Sequence, residues 1–178
     1  WARVTRSWPD TEVEKGRYDW ELLDKIVDSL TSRGIRVFLG TSARSHHAYL
    51  DFPPGYYYPP TPSPVALEGY CRYMAAMVEH YKDRVRHYEI WNEPNHPRYW
   101  QPEPDPKAYA LLVRRASEAM RSVDAGIKVL GGVLAGVNPQ VTEYARAFLS
   151  QPGTAEAMDI LTYHPYNPTP EATVEDIA

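Results

Sequence analysis

Short apolar runs alternate with segments of helical period along most of this chain, and that alternation restricts its fold more than any other feature. Trp1 to Trp8 reads as a strand stopped by Pro9-Asp10, with Arg3 and Thr5 on one face and Val4 and Arg6 on the other. Glu14 to Tyr18 reads as a turn. Asp19 follows as the N-cap of a helix whose apolar stripe is Leu22, Leu23, Ile26, Val27 and Leu30, closed at Gly34. Ile35 to Leu39 is a second strand, bounded by Gly34 and Gly40. A long loop over residues 41–63 ends at Ser63-Pro64, an N-cap with a first-turn proline, and a helix follows through Leu67, Tyr70, Cys71, Met74, Met77, Val78 and Tyr81. Tyr88 to Trp91 is a strand that Pro94 obliges to stop by Glu93, because proline removes a ladder donor and fixes φ. After a second long loop, Asp105-Pro106 opens a helix with Leu112, Val113, Ala116, Met120 and Val123 inward. The strand Lys128 to Gly132, the helix Val141 to Leu149 and the strand Asp159 to Tyr163 complete the series, and the stretch from Pro168 reads as a loop entering a helix.

The order β-α-β-α-β-α-β-α-β predicts a parallel sheet covered by helices, in one domain. Such a sheet can stay open and doubly wound or close into a barrel. Doubly wound nucleotide folds carry a glycine fingerprint after the first strand, whereas Trp8-Pro9-Asp10 stands there, and neither GxGxxG nor GxxxxGK[ST] occurs. The polar and aromatic residues gather just past the strands, where barrels of this type keep their chemistry. The expected fold class is therefore α/β, with a (β/α)8 TIM-barrel arrangement.

Charge narrows the function classes. With 19 basic and 23 acidic residues the net charge is −4, and no basic stripe runs along the chain, which argues against nucleic acid and anionic membrane as partners. The longest apolar run falls well short of a membrane span. The single Cys71 permits no internal disulfide. The chain opens Trp1-Ala2-Arg3 with neither an initiator Met nor an apolar leader, read here as a start cut within a longer protein. Tyrosine (14) and proline (17) are frequent while Phe is only 3, a bias that suits both wet aromatic surfaces and proline-braced loops.

At Ile90-Trp91-Asn92-Glu93-Pro94-Asn95 the chain resembles the acid/base motif of clan A glycoside hydrolases, retaining enzymes built on the (β/α)8 barrel. The flanks carry the resemblance further. Trp1 to Trp8 resembles their second strand and Arg17-Tyr18-Asp19-Trp20 the turn after it. Tyr99-Trp100, Pro104-Asp105-Pro106 and Ala108-Tyr109 resemble the segment after the motif in family 39 and related family 5 members, and Asp159 to Tyr166 their sixth strand. The resemblance implies a partial barrel, strands two to six, over residues 1–178, with strands one, seven and eight absent; a whole barrel takes roughly 250 residues. It also implies that the nucleophile, a glutamate ending strand seven in that family, is not in this sequence. It implies no cofactor, a carbohydrate substrate, and a secreted or extracytoplasmic address.

Retaining hydrolysis needs two carboxyls about 5–5.5 Å apart. Glu93 fits the proton donor, with Trp91 and Pro94 as neighbours that lower local polarity; the competing reading is a solvated glutamate at a loop start. Glu89 lies four residues deeper on the strand, roughly 13 Å away at about 3.3 Å per residue, too far to be the partner. By the resemblance, Asn92 donates to a sugar hydroxyl, or else it holds the turn. Arg3 supports the nucleophile, or else pairs with Glu89. His164 and Tyr166 bind substrate or the catalytic carboxyls, or else the histidine caps a loop carbonyl. Trp8 and Trp100 are candidate sugar platforms, against a core role, and Trp91 reads as core. His46-His47 lacks further ligands at metal spacing, so no metal site is expected and the pair reads as a solvated loop, or else as a loop contact to sugar. The alternative to a hydrolase is a carbohydrate-binding or scaffold protein on a degenerate barrel. An aldolase would want a lysine at a strand end, and none is there.

Overall fold

The computed structural model describes residues 1–51, 56–166, 169, 171, 172 and 174. Its main feature is a 5-stranded parallel sheet formed by β1 (Ala2–Ser7), β4 (Val37–Ser42), β5 (His87–Glu89), β6 (Lys128–Ala135) and β7 (Ile160–His164), in that spatial order. Each strand lies beside the next of the series, the sequence of a barrel wall and not of a doubly wound sheet. Between β1 and β4 the chain makes a short helix α1 (Trp8–Thr11), an antiparallel pair β2 (Glu12–Glu14) and β3 (Arg17–Tyr18), and α2 (Glu21–Thr31). The remaining crossovers are α3 (Pro64–Tyr81), α4 (Pro106–Val123) and α5 (Pro139–Leu149). The fold is a partial (β/α)8 barrel.

The helix starts follow local chemistry. Ser63, Asp105 and Asn138 each sit in extended backbone and accept from the first free N–H groups of α3, α4 and α5, with proline at the first helical position. At α2 the boundary residue is Trp20, yet the Asp19 carboxylate accepts from the Glu21 N–H at 3.0 Å, so the expected cap acts one residue early. The outer strand face (Val4, Val37, Leu39, Tyr88, Val129) is buried beneath the helices. The inner face carries Arg3, Thr5, Gly40, Glu89, Thr162 and His164, as the pairings Thr5↔Gly40↔Glu89 require.

Several expectations shift. On α2 only Leu23 and Val27 are buried, while Leu22 is 51% and Ile26 38% exposed. Asp24 and Asp28 pair with Arg84 just beyond α3, so Leu22 and Ile26 fall on the flank turned away from it. The second strand starts at Val37, not Ile35, and runs through Gly40 instead of ending there. A Cβ on Gly40 would stand 2.9 Å from Glu89 Oε2 and 3.2 Å from Thr5 Cγ2, so this glycine makes room inside the barrel. Similarly β6 continues past Gly131-Gly132 to Ala135. Gly132 (φ 89°) and Val133 (φ 49°) form a bulge there, three steps on β6 passing two on β7. Conversely β5 closes at Glu89, earlier than Pro94 demands, because Trp91 turns left-handed at φ 69°. The helix expected beyond Pro168 falls largely outside the described residues.

Candidate active site

The backbone that follows β5 cannot continue as a strand, and its polar groups are met by side chains instead. The Trp91 N–H donates to Thr41 Oγ1 (3.1 Å) and to the Tyr70 hydroxyl (3.2 Å), themselves 2.7 Å apart. The Tyr109 hydroxyl donates to the Ile90 carbonyl at 2.9 Å and accepts from the Gly132 N–H at 3.1 Å. Burial pushes the Tyr70 and Tyr109 phenols far above their ordinary range, so both keep their protons. Thus a buried polar set from α3, β4 and α4 holds a left-handed turn that a strand ladder could not.

That turn delivers Glu93, also left-handed at φ 49°. Its N–H donates to the Val133 carbonyl at 3.0 Å, a group turned toward it by the β6 bulge. Its carboxylate Oε1 lies 2.8 Å from His164 Nδ1, and both side chains are mostly shielded, 12% and 13% exposed. Glu93 and His164 therefore meet across β6, at the C-terminal ends of β5 and β7, the rim where barrels of this type carry out chemistry. Asp159, which ends the loop before β7, is held by Arg121 and Lys128 at the opposite rim.

Of the two readings of Arg3, the structure contains the pair with Glu89. The Arg3 Nε pairs with Glu89 Oε2 at 2.6 Å, and its Nη2 donates to Asn92 Oδ1 at 2.9 Å. Because guanidinium only donates, Asn92 presents its oxygen to Arg3 and keeps Nδ2 for another acceptor. Glu89 also takes a bond from Thr162 Oγ1 at 3.2 Å, so the ion pair spans β1, β5 and β7 within the barrel.

Two expected platforms are corrected. Trp8 is 0% exposed, and its ring is packed by His46, Tyr49, Tyr70 and Tyr73. Trp100 is 2% exposed and wedged against Trp91 and Tyr109. Neither ring has a free face for a sugar. Tyr166 is 86% exposed beside His164, with ring centroids 6.3 Å apart.

The histidine pair also differs from its reading, since only His47 is solvated. His46 is buried; its Nε2 meets the Glu12 carbonyl at 2.7 Å and its Nδ1 accepts from the Ala48 N–H at 3.2 Å. These two bonds require the neutral ring with the proton on Nε2, leaving no nitrogen for a metal. The Glu12 carboxylate, absent from the sequence reading, is buried as well. It accepts from the Trp8 indole, the Gly16 N–H (2.6 Å) and the Tyr49 hydroxyl (2.7 Å), tying the loop after β1 to the loop after β4. Burial, more than the opposing pull of Glu12, lowers the His46 pKa below its usual 6.5. A base whose pKa falls on folding binds its proton more weakly when folded. Stability is therefore full above the unfolded value and declines as pH drops below about 6.5 toward the folded one. Melting curves between pH 7.5 and 5 are expected to show a smaller acid-side decline in His46→Gln than in the parent; parallel curves would remove His46 as the source.

Thr162 could have been found from its sequence, because it lies two residues before His164 and so shares its face. Asn95 had no such signal. Its side chain reaches across to Ala135, accepting from the N–H at 2.8 Å and donating to the carbonyl at 3.1 Å.

A parallel barrel wall bearing a shielded carboxyl–imidazole pair at its C-terminal rim defines the class: an α/β-barrel enzyme site. The model for Glycosyl hydrolases family 39 matches residues 5–176, and the chain belongs to that family. Among solved structures it is similar to a family 39 glycoside hydrolase from Bacteroides cellulosilyticus WH2, at 24% identity and TM-score 0.71, over 92% of this chain and 32% of that one. It is also similar to a monomeric beta-xylosidase from Caulobacter crescentus CB15, at 22% identity and TM-score 0.67, over 98% and 41%. A third likeness is the family 39 enzyme from Xanthomonas axonopodis pv. citri, at 22% identity and TM-score 0.64, over 98% and 40%. The chain thus spans between 32% and 41% of the length of these structures.

Proposed function

We propose that this chain supplies the proton-transfer half of a retaining glycoside hydrolase acting on β-linked glycosides, with Glu93 as general acid and then general base. The observation that carries the reading is the 2.8 Å contact between Glu93 Oε1 and His164 Nδ1 at the strand ends. An imidazole N–H donating to Oε1 leaves Oε2 to carry the proton toward the glycosidic oxygen. Once that proton has left, the same N–H steadies the carboxylate that must next activate water. Asn92, oriented by Arg3, offers Nδ2 to a sugar hydroxyl, and Tyr166 lies exposed beside His164 where substrate would enter.

The carboxyl that would attack the anomeric carbon is assigned to a strand outside residues 1–178. Glu89, the inward acid among the described strand residues, is already committed to Arg3 and Thr162. The test uses the intact protein that carries this segment. Proton NMR during hydrolysis of an aryl β-glycoside is expected to show the β-anomer forming first, and a 2-fluoro glycoside is expected to label a glutamate outside this segment. Inversion at the anomeric carbon, or a label on Glu93 itself, would overturn the reading.

A further inference from the structure

Three residues about the proton-transfer group sit in left-handed backbone without being glycine: Trp91, Glu93 and Val133. Such conformations cost on the order of 1–3 kcal/mol each and persist only where the surroundings impose them. For Trp91 the imposing groups are Thr41 and Tyr70. Glu93 has its own N–H tied to Val133, itself in the bulge. Beyond Glu93, the side chain that hydrogen-bonds this loop to β6 among the described residues is Asn95. Asn95 makes two bonds to the Ala135 backbone, with its Oδ1 taking the N–H and its Nδ2 giving to the carbonyl. In effect the amide stands in for a neighbouring strand just where β5 has ended. The same Ala135 is the register partner of His164 across β6 and β7. Ala135 is therefore clamped on one side by Asn95, two residues past Glu93, and on the other lies in register with His164, whose carbonyl accepts from the adjoining Gly136 N–H at 3.1 Å.

From this we infer that Asn95 is a positioning residue for proton transfer: its two-point clamp on Ala135 fixes the separation of the Glu93 and His164 side chains. The inference rests on Glu93 being the acid/base. A single bond at this place would let the loop pivot about it, whereas paired donor and acceptor fix both distance and orientation, as a strand ladder does. Asn95 touches neither the Glu93 carboxyl nor the inward Arg3–Glu89–Asn92 set among the described residues, so its influence runs through the backbone. A displacement of about 1 Å in a reacting group can cost on the order of a hundredfold in rate.

The test compares Asn95→Ala and Asn95→Asp with Glu93→Gln in the intact protein, each at a temperature where its melting curve shows it folded. Asn95→Asp keeps the acceptor for the Ala135 N–H but loses the donor to the carbonyl, so it remains informative should Asn95→Ala not fold. The readout is kcat/KM on two β-glycosides, one with an alcohol leaving group and one with dinitrophenol, which departs without a proton. For both Asn95 variants the expectation is a loss of about 30-fold on the alcohol glycoside and less than about threefold on the dinitrophenyl one. Equal losses on both substrates, or none, while Glu93→Gln remains selective, would overturn the positioning role and leave the acid/base assignment standing. A Glu93→Gln variant that is itself unselective would remove both.

Discussion

Glu93→Gln is expected to lower kcat/KM for an alkyl or sugar β-glycoside by about 10²–10³-fold while leaving dinitrophenyl glycosides within a few-fold of the parent. General acid catalysis of this kind is typically worth about 10²–10⁴-fold. Glutamine is the informative replacement because its carbonyl can still accept the His164 bond, now 2.8 Å from Glu93 Oε1. The N–H of residue 93 still meets Val133, so the turn should persist and only the transferable proton is lost. The slope of log kcat/KM against leaving-group pKa should steepen, since the departing oxygen must now leave as an anion. Azide, which needs no general base to attack the glycosyl intermediate, should restore turnover of the activated substrates. A variant with the parent's slope would take Glu93 out of the reaction.

The amino-acid sequence showed the helix starts well, because a cap is a local event. Ser63-Pro64 and Asp105-Pro106 carry the acceptor and the preset φ within two adjacent residues. Strand limits were less legible, since they depend on what lies across the sheet. Gly40 and Gly131-Gly132 look like stops, but the first makes room for Glu89 and the second pair opens a bulge. The site divides in the same way. Glu93 was marked by the proline after it, and His164 by its place past a strand. Whether Trp8 and Trp100 offer a ring to solvent depends on Tyr49, Tyr73 and Tyr109, which come from elsewhere in the chain. Glu12 and Asn95 gave no signal, because a carboxylate or an amide near a turn is ordinary until its partners are known.

The other large effect concerns the ion pair inside the barrel. Glu89 is 1% exposed and Arg3 30%, so removing the guanidinium strands a buried carboxylate with Thr162 as its remaining donor. Breaking a buried pair from one side typically costs about 3–5 kcal/mol, whereas removing both charges is often near neutral. Arg3→Met is therefore expected to destabilise the protein by about 3 kcal/mol in urea unfolding, and Arg3→Met combined with Glu89→Gln to recover most of that loss. Arg3→Lys separates structure from site. An ammonium can neutralise Glu89, but it lacks the planar fork that reaches Glu89 and Asn92 together. Stability should then return further than activity does, with the residual defect appearing as a raised KM once Asn92 is no longer held. If the double variant is as unstable as Arg3→Met alone, the cost lies in lost packing of the arginine stem and not in the stranded charge. If instead Arg3→Lys restores KM completely, the bond from Arg3 to Asn92 does not orient the amide for substrate.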